Sequence, residues 1–423
     1  MSVAFAKSVL PKYEQQVLEN GLRIVVIPMR NGSGVIETDI FYKVGSRNEI
    51  LGKSGLAHML EHLSFKSTKN LKSGEFDAIV KSFGGVDNAS TSFDYTRYFI
   101  RSSSDNIDTS LKLFAELMHS LSLKDEEFQP ERKVVAEERR WRTDNSPLGL
   151  LYFRFFNTAF LQHPYHWTPI GFMEDILSWK IEDIRTFYNT YYQPSNAIVV
   201  VAGDIDPKKV FISAKKHFSS IKNTAPIPEV STKEPKQEGY REVIVKKPTQ
   251  IEWIIMGYKI PNFEHKDQVA LSALSDILSG GKSSLLDSEL VAKRNLVSEI
   301  SASSMALKDN GVFLIIAAGN KGVQAKKIQA EIVAVLERVK KGDFTQEELD
   351  KVKHNMRANF VYSLEKSSSV AGLFGSFLVR DNLAPLLGYE EAFNKLTLQD
   401  IQEVAQKYFQ QNALSVAILR NND

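Results

Sequence analysis

The chain repeats itself once, at half its own length. "IEDIRTFYNTYYQPSNAIVVVAGD", from Ile181, and "LQDIQEVAQKYFQQNALSVAILRN", from Leu398, match in kind: an amphipathic helix with an early acid, an aromatic pair, a glutamine, then Asn-Ala and a β-branched strand. Asp183 aligns with Asp400 and Tyr191 with Tyr408, an offset of 217 in 423 residues. A single repeat of that period points to two copies of one domain rather than to a solenoid or one large core. Between the copies runs "IKNTAPIPEVSTKEPKQEG", with three prolines and neither a helical nor a strand period, which reads as a tether. The expected organisation is a first domain over 1–220, a linker over 221–239 and a related domain over 240–423.

Each half mixes two periods. "GLRIVVIPM", "GVIETDIFYKVG", "TRYFIRSS", "AIVVVAG", "IEWIIMGYKI" and "GVFLIIAAG" read as strands, and "TSLKLFAELMHSLS", "IQAEIVAVLERVKK" and "TQEELDKVKHNMRANFVYSLEK" read as helices. Strand pairs followed by long helices predict an α+β fold, with a mostly antiparallel sheet and helices packed on one face in each domain.

Charge and cysteine content remove several functions. Basic and acidic residues number 53 and 51, for a formal charge of +2 and no block of one sign, so neither nucleic acid nor an anionic membrane is an expected partner. With no cysteine, any bound metal must be held by His, Asp or Glu. No leader-like run opens the chain and no apolar run is long enough to cross a bilayer, so the sequence as written is expected in the cytoplasm, although a mature form stripped of a leader reads the same.

"SGLAHMLEHLSF", Ser54 to Phe65, is the stretch that carries chemistry. On a helix His58 and His62 lie about 40° apart, and Glu61 lies about 60° to the other side of His58. Two imidazoles one turn apart can hold one ion while the carboxylate reaches a water on that ion, the H-x-x-E-H order of zinc hydrolases. A solvated helix pair is the plainer alternative, but Leu56, Ala57, Met59, Leu60 and Leu63 leave this helix almost no other polar face. A buried structural cluster would need partners of its own. A further ligand is offered by "QPERKVVAEERRW", read as a helix with Pro130 in its first turn, on which Glu131 and Glu138 are about 20° apart and Val134 and Val135 share the buried side. Glu137 falls about 120° from Glu131, beside Arg139 and Arg140, and reads as a surface residue. Zinc, one per chain, held by His58, His62 and Glu138 with Glu131 in support behind them, satisfies both carboxylates.

These motifs resemble the pitrilysin and insulinase type of zinc metallopeptidase, in its branch of half-length subunits. The spacing of 76 from His62 to Glu138 and of seven from Glu131 to Glu138 is similar to that family's, as are "ENGLRIVV", "VGSRNE", "GGVDNASTSFDYTRY", "HPYHWTPIGFMEDI" and "YYQPSNAIVVVAGDID". The resemblance implies an endopeptidase in which two subunits, each of two related α+β domains, enclose a peptide-sized chamber. It also implies that the strand in "GGVDNASTSFDYTRY" pairs with the extended substrate, with Asn88, Ala89 and Thr91 as contact positions. On the residues alone the same segment is a glycine turn entering an ordinary strand.

One departure stands out. The family's C-terminal half carries an Arg and a Tyr that bind substrate and steady the oxyanion, whereas "SGGKSSLLDSELVAKRNLVSEI" places Leu285 and Ser298 at those positions. The resemblance therefore implies a catalytic subunit, with Glu61 as general base, that needs a homologous partner bearing Arg and Tyr, or that forms a homodimer without one. A non-catalytic core or presenting subunit is the alternative, together with a hydrolase of non-peptide amides.

Overall fold

A computed structural model describes residues 9–421; the first eight residues, part of the stretch read for a leader, and the last two lie outside it. Among the described residues eleven strands form two sheets: β1 (Glu14–Val17), β2 (Arg23–Pro28), β3 (Val35–Tyr42), β4 (Val86–Thr91), β5 (Thr96–Ser103) and β6 (Ala197–Gly203) in the first, and β7 (Arg241–Lys246), β8 (Trp253–Ile260), β9 (Val297–Met305), β10 (Gly311–Gly319) and β11 (Leu414–Arg420) in the second. Their orders are β1-β2-β6-β3-β5-β4 and β7-β11-β8-β10-β9. Apart from β1, the two are one pattern. A parallel pair (β2 with β6, β7 with β11) is followed by antiparallel pairing to the other edge. This is the α+β arrangement expected of each half.

The repeat is kept residue by residue. The helices Ile181–Tyr191 and Leu398–Tyr408, the 3-10 turns Pro194–Asn196 and Gln411–Ala413, and the strands β6 and β11 all begin and end 217 residues apart. Asp183 and Asp400 each accept from the backbone N–H three residues earlier, at the two helix starts, and in the second copy the Thr397 hydroxyl returns the bond to complete a capping box. The strand that follows, β6, is buried along its whole length, as a continuous apolar run at the centre of a sheet must be.

The compact bodies cut across the sequence halves. One comprises 1–136, 169–231 and 359–387, and the other 137–168, 232–358 and 388–423. In the first body the main core lies between one sheet face and helices that include Leu56–Ser64, Ile107–His119, Ile181–Tyr191 and Pro207–Phe218. On its opposite face sits Ser367–Leu378, a helix from the C-terminal half. In the second body Pro147–Ala159, from the N-terminal half, packs on β11, β8 and β7.

Each exchanged helix makes a contact too close for two side chains. In the first body a Cβ on Gly375 would lie 2.0 Å from the Phe41 ring, and in the second a Cβ on Gly257 would lie 2.3 Å from the Phe155 ring. Phe41 pairs with Ile198 and Gly257 with Ser415, positions 217 apart, so Phe41 and Gly257 hold the same register in the two sheets. Phe155 and Gly375 are each eight residues along their helices. The two copies thus fill one contact with the aromatic ring on opposite partners, which preserves packing volume in both.

The tether carries no regular element between Ile221 and Tyr240, but it is fastened at both ends. Gln193 donates to Ala225 O and accepts from Thr224 N in the first body. In the second, Glu234 accepts from the successive backbone N–H groups of Leu161, Gln162 and His163 at 3.0–3.1 Å and pairs with Lys259 at 2.5 Å. Burial opposes the charge on Glu234, yet the Lys259 and backbone hydrogen bonds outweigh it and hold the carboxyl down to about 2.

Candidate metal centre

The histidine helix is Leu56–Ser64, and everything on it except His58, Glu61 and His62 is buried. Its start is unusual. Gly55, at φ 88°, supplies no capping side chain, and a Cβ there would lie 2.7 Å from the Trp179 ring. The cap comes instead from Glu49, 4% exposed, which accepts from Gly55 N and Ala57 N at 2.8 Å each. A buried carboxylate at a helix N-terminus both satisfies orphan donors and complements the dipole. At the other end Ser64 Oγ donates to Leu60 O and meets Tyr98 OH at 2.9 Å, and Tyr98 in turn meets Tyr192 OH at 2.8 Å. Burial, followed by the nearby Glu61 charge, pushes the Tyr98 phenol well up, so it stays neutral and can donate.

The glutamate helix spans Asp125–Arg139, five residues earlier than the proline suggested. Asp125, Glu126 and Glu127 form its acidic first turn, so Pro130 lies in the second turn, where its missing N–H costs one backbone bond. The valine reading also needs correction, because Val135 is fully buried while Val134 is 49% exposed. The buried residues Phe128, Glu131, Val135, Ala136 and Arg139 centre about 60° to one side of Glu131, and Val134 lies about 60° to the other. Glu137 is exposed and pairs with Arg140.

This helix is a single element carrying Glu131 and Glu138 on one stripe, and it brings Glu138 to the histidines. One ligand atom each from His58, His62 and Glu138 lie within 4.8 Å of one another. The two imidazole rings are edge to face with centroids 4.7 Å apart. His62 Nδ1 lies 2.8 Å from Glu131 Oε1, which places the proton on Nδ1 and the lone pair on Nε2, the usual support for a metal-binding histidine. Lys66, one turn past His62, holds the other Glu131 oxygen at 2.6 Å. Burial raises the Glu131 carboxyl, but the hydrogen bonds from His62 and Lys66 win and keep it below its ordinary value. Glu138 Oε1 is 3.1 Å from Arg142 Nε, an i,i+4 pair whose arginine is two-thirds exposed and therefore easily released. Two imidazoles and a carboxylate, with a second carboxylate behind one imidazole, are a donor set that fits zinc, and His58, His62 and Glu138 would hold it.

Glu61 shares the exposed face of the histidine helix. The Thr91 hydroxyl donates to Glu61 Oε2, a contact that spacing alone did not suggest. Thr91 ends β4, the edge strand next to the histidine helix, and the outer side of β4 pairs with no other strand among the described residues. Along β4, Asn88 is exposed and pairs in register with Phe99, and Ala89 is half-buried opposite Tyr98. Leu285 is half-buried at the head of a helical turn, and Ser298 lies exposed on β9, its hydroxyl 3.4 Å from Ala318 O. Among the described residues no helix is long and apolar enough to cross a membrane.

Comparison with known proteins identifies the family. The family model described as Insulinase (Peptidase family M16) matches residues 30–163, and the model described as Peptidase M16 inactive domain matches 178–356. A relative from Helicobacter pylori named zinc protease PqqE is 58% identical over 418 residues, 98% of this chain and 94% of that protein. The crystal structure of a protease from Helicobacter pylori superposes with a TM-score of 0.95 at 58% identity, over 97% of this chain and all of that one. A Pseudomonas fluorescens structure described as a peptidase M16 inactive domain shares the fold at a TM-score of 0.89 and 16% identity, covering 97% and 98% of the two chains. Two models of one family match its two halves, and a relative of nearly its own length shares more than half its residues: this chain belongs to the insulinase family of peptidases, M16.

Proposed function

We propose that the chain is the metal-bearing subunit of a zinc-dependent endopeptidase acting on extended or unfolded peptide segments. The observation that carries this reading is the convergence of His58, His62 and Glu138, with Glu61 on the same face and held by Thr91. Zinc, when bound by those three residues, supplies a Lewis acid and lowers the pKa of a coordinated water. Glu61 takes the proton from the attacking water and later delivers it to the leaving amine. Asn88 and Ala89 lie on an edge that pairs with no other strand among the described residues, so the backbone of an extended peptide can add to β4 as a further strand, with main-chain bonds giving affinity and little sequence selection. The name of the Helicobacter pylori relative supports zinc and proteolysis.

The second half of the reading is a division of labour. Leu285 and Ser298 offer neither a guanidinium nor a phenol, and the match of the C-terminal half to an inactive domain supports its having no metal motif. A homologous subunit carrying Arg and Tyr is expected to close over this one and complete the chamber, and in its absence two copies of this chain pair more weakly active. A presenting core subunit has no use for three ligands and a base together.

The reading is tested by offering the protein unstructured peptides and small acyl amides. Peptide cleavage that stops on chelation and returns with zinc is the expected result. Hydrolysis of the small amides at comparable rates would place the chain outside the endopeptidases.

A further inference from the structure

The turn between β4 and β5 is fastened more tightly than a hairpin needs. Thr91 and Thr96 form its closing pair, and Ser92 Oγ accepts from Asp94 N and Tyr95 N while donating to Tyr95 O. The segment after β3 grips it from one side: Ser46 N donates to Ser92 O at 3.2 Å and Arg47 N to Phe93 O at 2.8 Å, while Thr96 Oγ1 donates to Val44 O at 2.9 Å. The contact is so close that a Cβ on Gly45 would lie 2.4 Å from Ser92 O. From another side comes Arg380, whose Nε lies 3.2 Å from the buried Asp94 carboxylate and whose guanidinium stands near the Tyr95 ring. Arg380 belongs to the exchanged segment, two residues past the Ser367–Leu378 helix. Its neighbour Asp381 adopts φ 73°, a conformation unfavourable for a side chain, and pairs with Lys43 at the end of β3 at 2.5 Å. Two consecutive residues from the C-terminal half are thus anchored, Arg380 to the turn itself and Asp381 to the start of the segment that grips it.

We propose that Arg380, through Asp94 and the Ser92–Tyr95 turn, is a positioning residue that sets where the Thr91 hydroxyl meets Glu61, and hence where the general base stands. The C-terminal half then contributes to the site without holding any of its ligands. Peptide pairing along β4 bears on the same turn, so strand addition and orientation of the base are mechanically linked. The inference rests on Glu61 being the base.

The test uses the full-length, zinc-loaded chain, with its partner subunit where one is needed for turnover, and an unstructured peptide as substrate. Thr91→Val is expected to lower kcat by about 10- to 100-fold, with KM within about twofold and zinc content unchanged, because misplacing a reacting group by about an ångström costs on that scale. Thr91→Ser, which keeps the hydroxyl, is expected to restore most of the rate. Arg380→Lys is expected to lower kcat by about tenfold, since an ammonium cannot reproduce the guanidinium geometry. In the metal-free protein it is also expected to speed amide exchange in residues 91–95 but not in the Ile107–His119 helix. The double variant is expected to be no slower than Thr91→Val alone, as two residues acting through one contact are not additive. Asp94→Asn takes the place of Arg380→Lys in this cycle if the latter does not fold. Multiplying effects in the double variant, or single variants with wild-type kcat, would overturn the proposal. Glu61→Gln assayed alongside separates the two failures: an inactive Glu61→Gln beside an unaffected Thr91→Val removes the positioning role and leaves the base in place.

Discussion

Glu61→Gln is expected to retain zinc and to lose about a thousandfold in kcat or more. General-base catalysis by a placed carboxylate contributes about 100- to 10,000-fold, and here one residue is asked to act twice, on the water and on the leaving amine. Glutamine keeps the shape and can still accept from Thr91, so His58, His62 and Glu138 remain where they are. KM is expected to move little, because the proposed peptide contact is the edge of β4 and not Glu61. Measuring kcat together with bound zinc on one preparation decides the matter. Full zinc with an unchanged rate would rule Glu61 out as the base, and loss of zinc would make it a ligand instead.

Adding a homologous subunit that carries Arg and Tyr but no H-x-x-E-H is expected to raise the peptidase rate of this chain by at least about a hundredfold. The oxyanion of an amide's tetrahedral intermediate needs donors besides a metal, and deleting one such donor in other hydrolases costs about 100- to 1,000-fold. Leu285 has no donor to offer, and the Ser298 hydroxyl is short and turned to Ala318 O. Mutating the Arg or the Tyr of the added subunit is expected to abolish the gain. An isolated chain, shown by mass spectrometry to be free of any second subunit, that already cleaves at the full rate would contradict the division of labour.

How much of this was legible in the sequence depended on range. The repeat was readable because a capped helix followed by a buried strand is a local pattern, and Asp183 and Asp400 mark its start in both copies. The clustering of His58, Glu61 and His62 followed from helical geometry alone, and Glu138 from the same geometry on a second helix. Val134 was misplaced because the two sides of Glu131 look alike in sequence, and only the centre of the buried arc, set by Phe128, Val135, Ala136 and Arg139, says which side faces the core. The helix start at Asp125 was hidden by Pro130, which more often opens a helix than interrupts one. Nothing local encodes the exchange of Pro147–Ala159 and Ser367–Leu378. Each is an apolar helix that would suit either sheet, and the choice is written in the reciprocal pairs Phe41 with Gly375 and Gly257 with Phe155, whose partners are far apart in the chain. Glu49, Thr91 and Arg380 were missed as supports for the same reason. Lys66 was within reach, since it stands four residues after His62.

The central claim is that His58, His62 and Glu138 hold one catalytic zinc, and metal analysis of three purified proteins tests it most directly. After chelation and refilling, the wild-type chain is expected to carry one zinc, Glu137→Gln the same, and Glu138→Gln far less, because Glu137 faces solvent beside Arg140 while Glu138 shares the ligand cluster. Zinc retained by Glu138→Gln and lost by Glu137→Gln would exchange the two glutamates, and a wild-type chain that takes up no stoichiometric zinc would contradict the account.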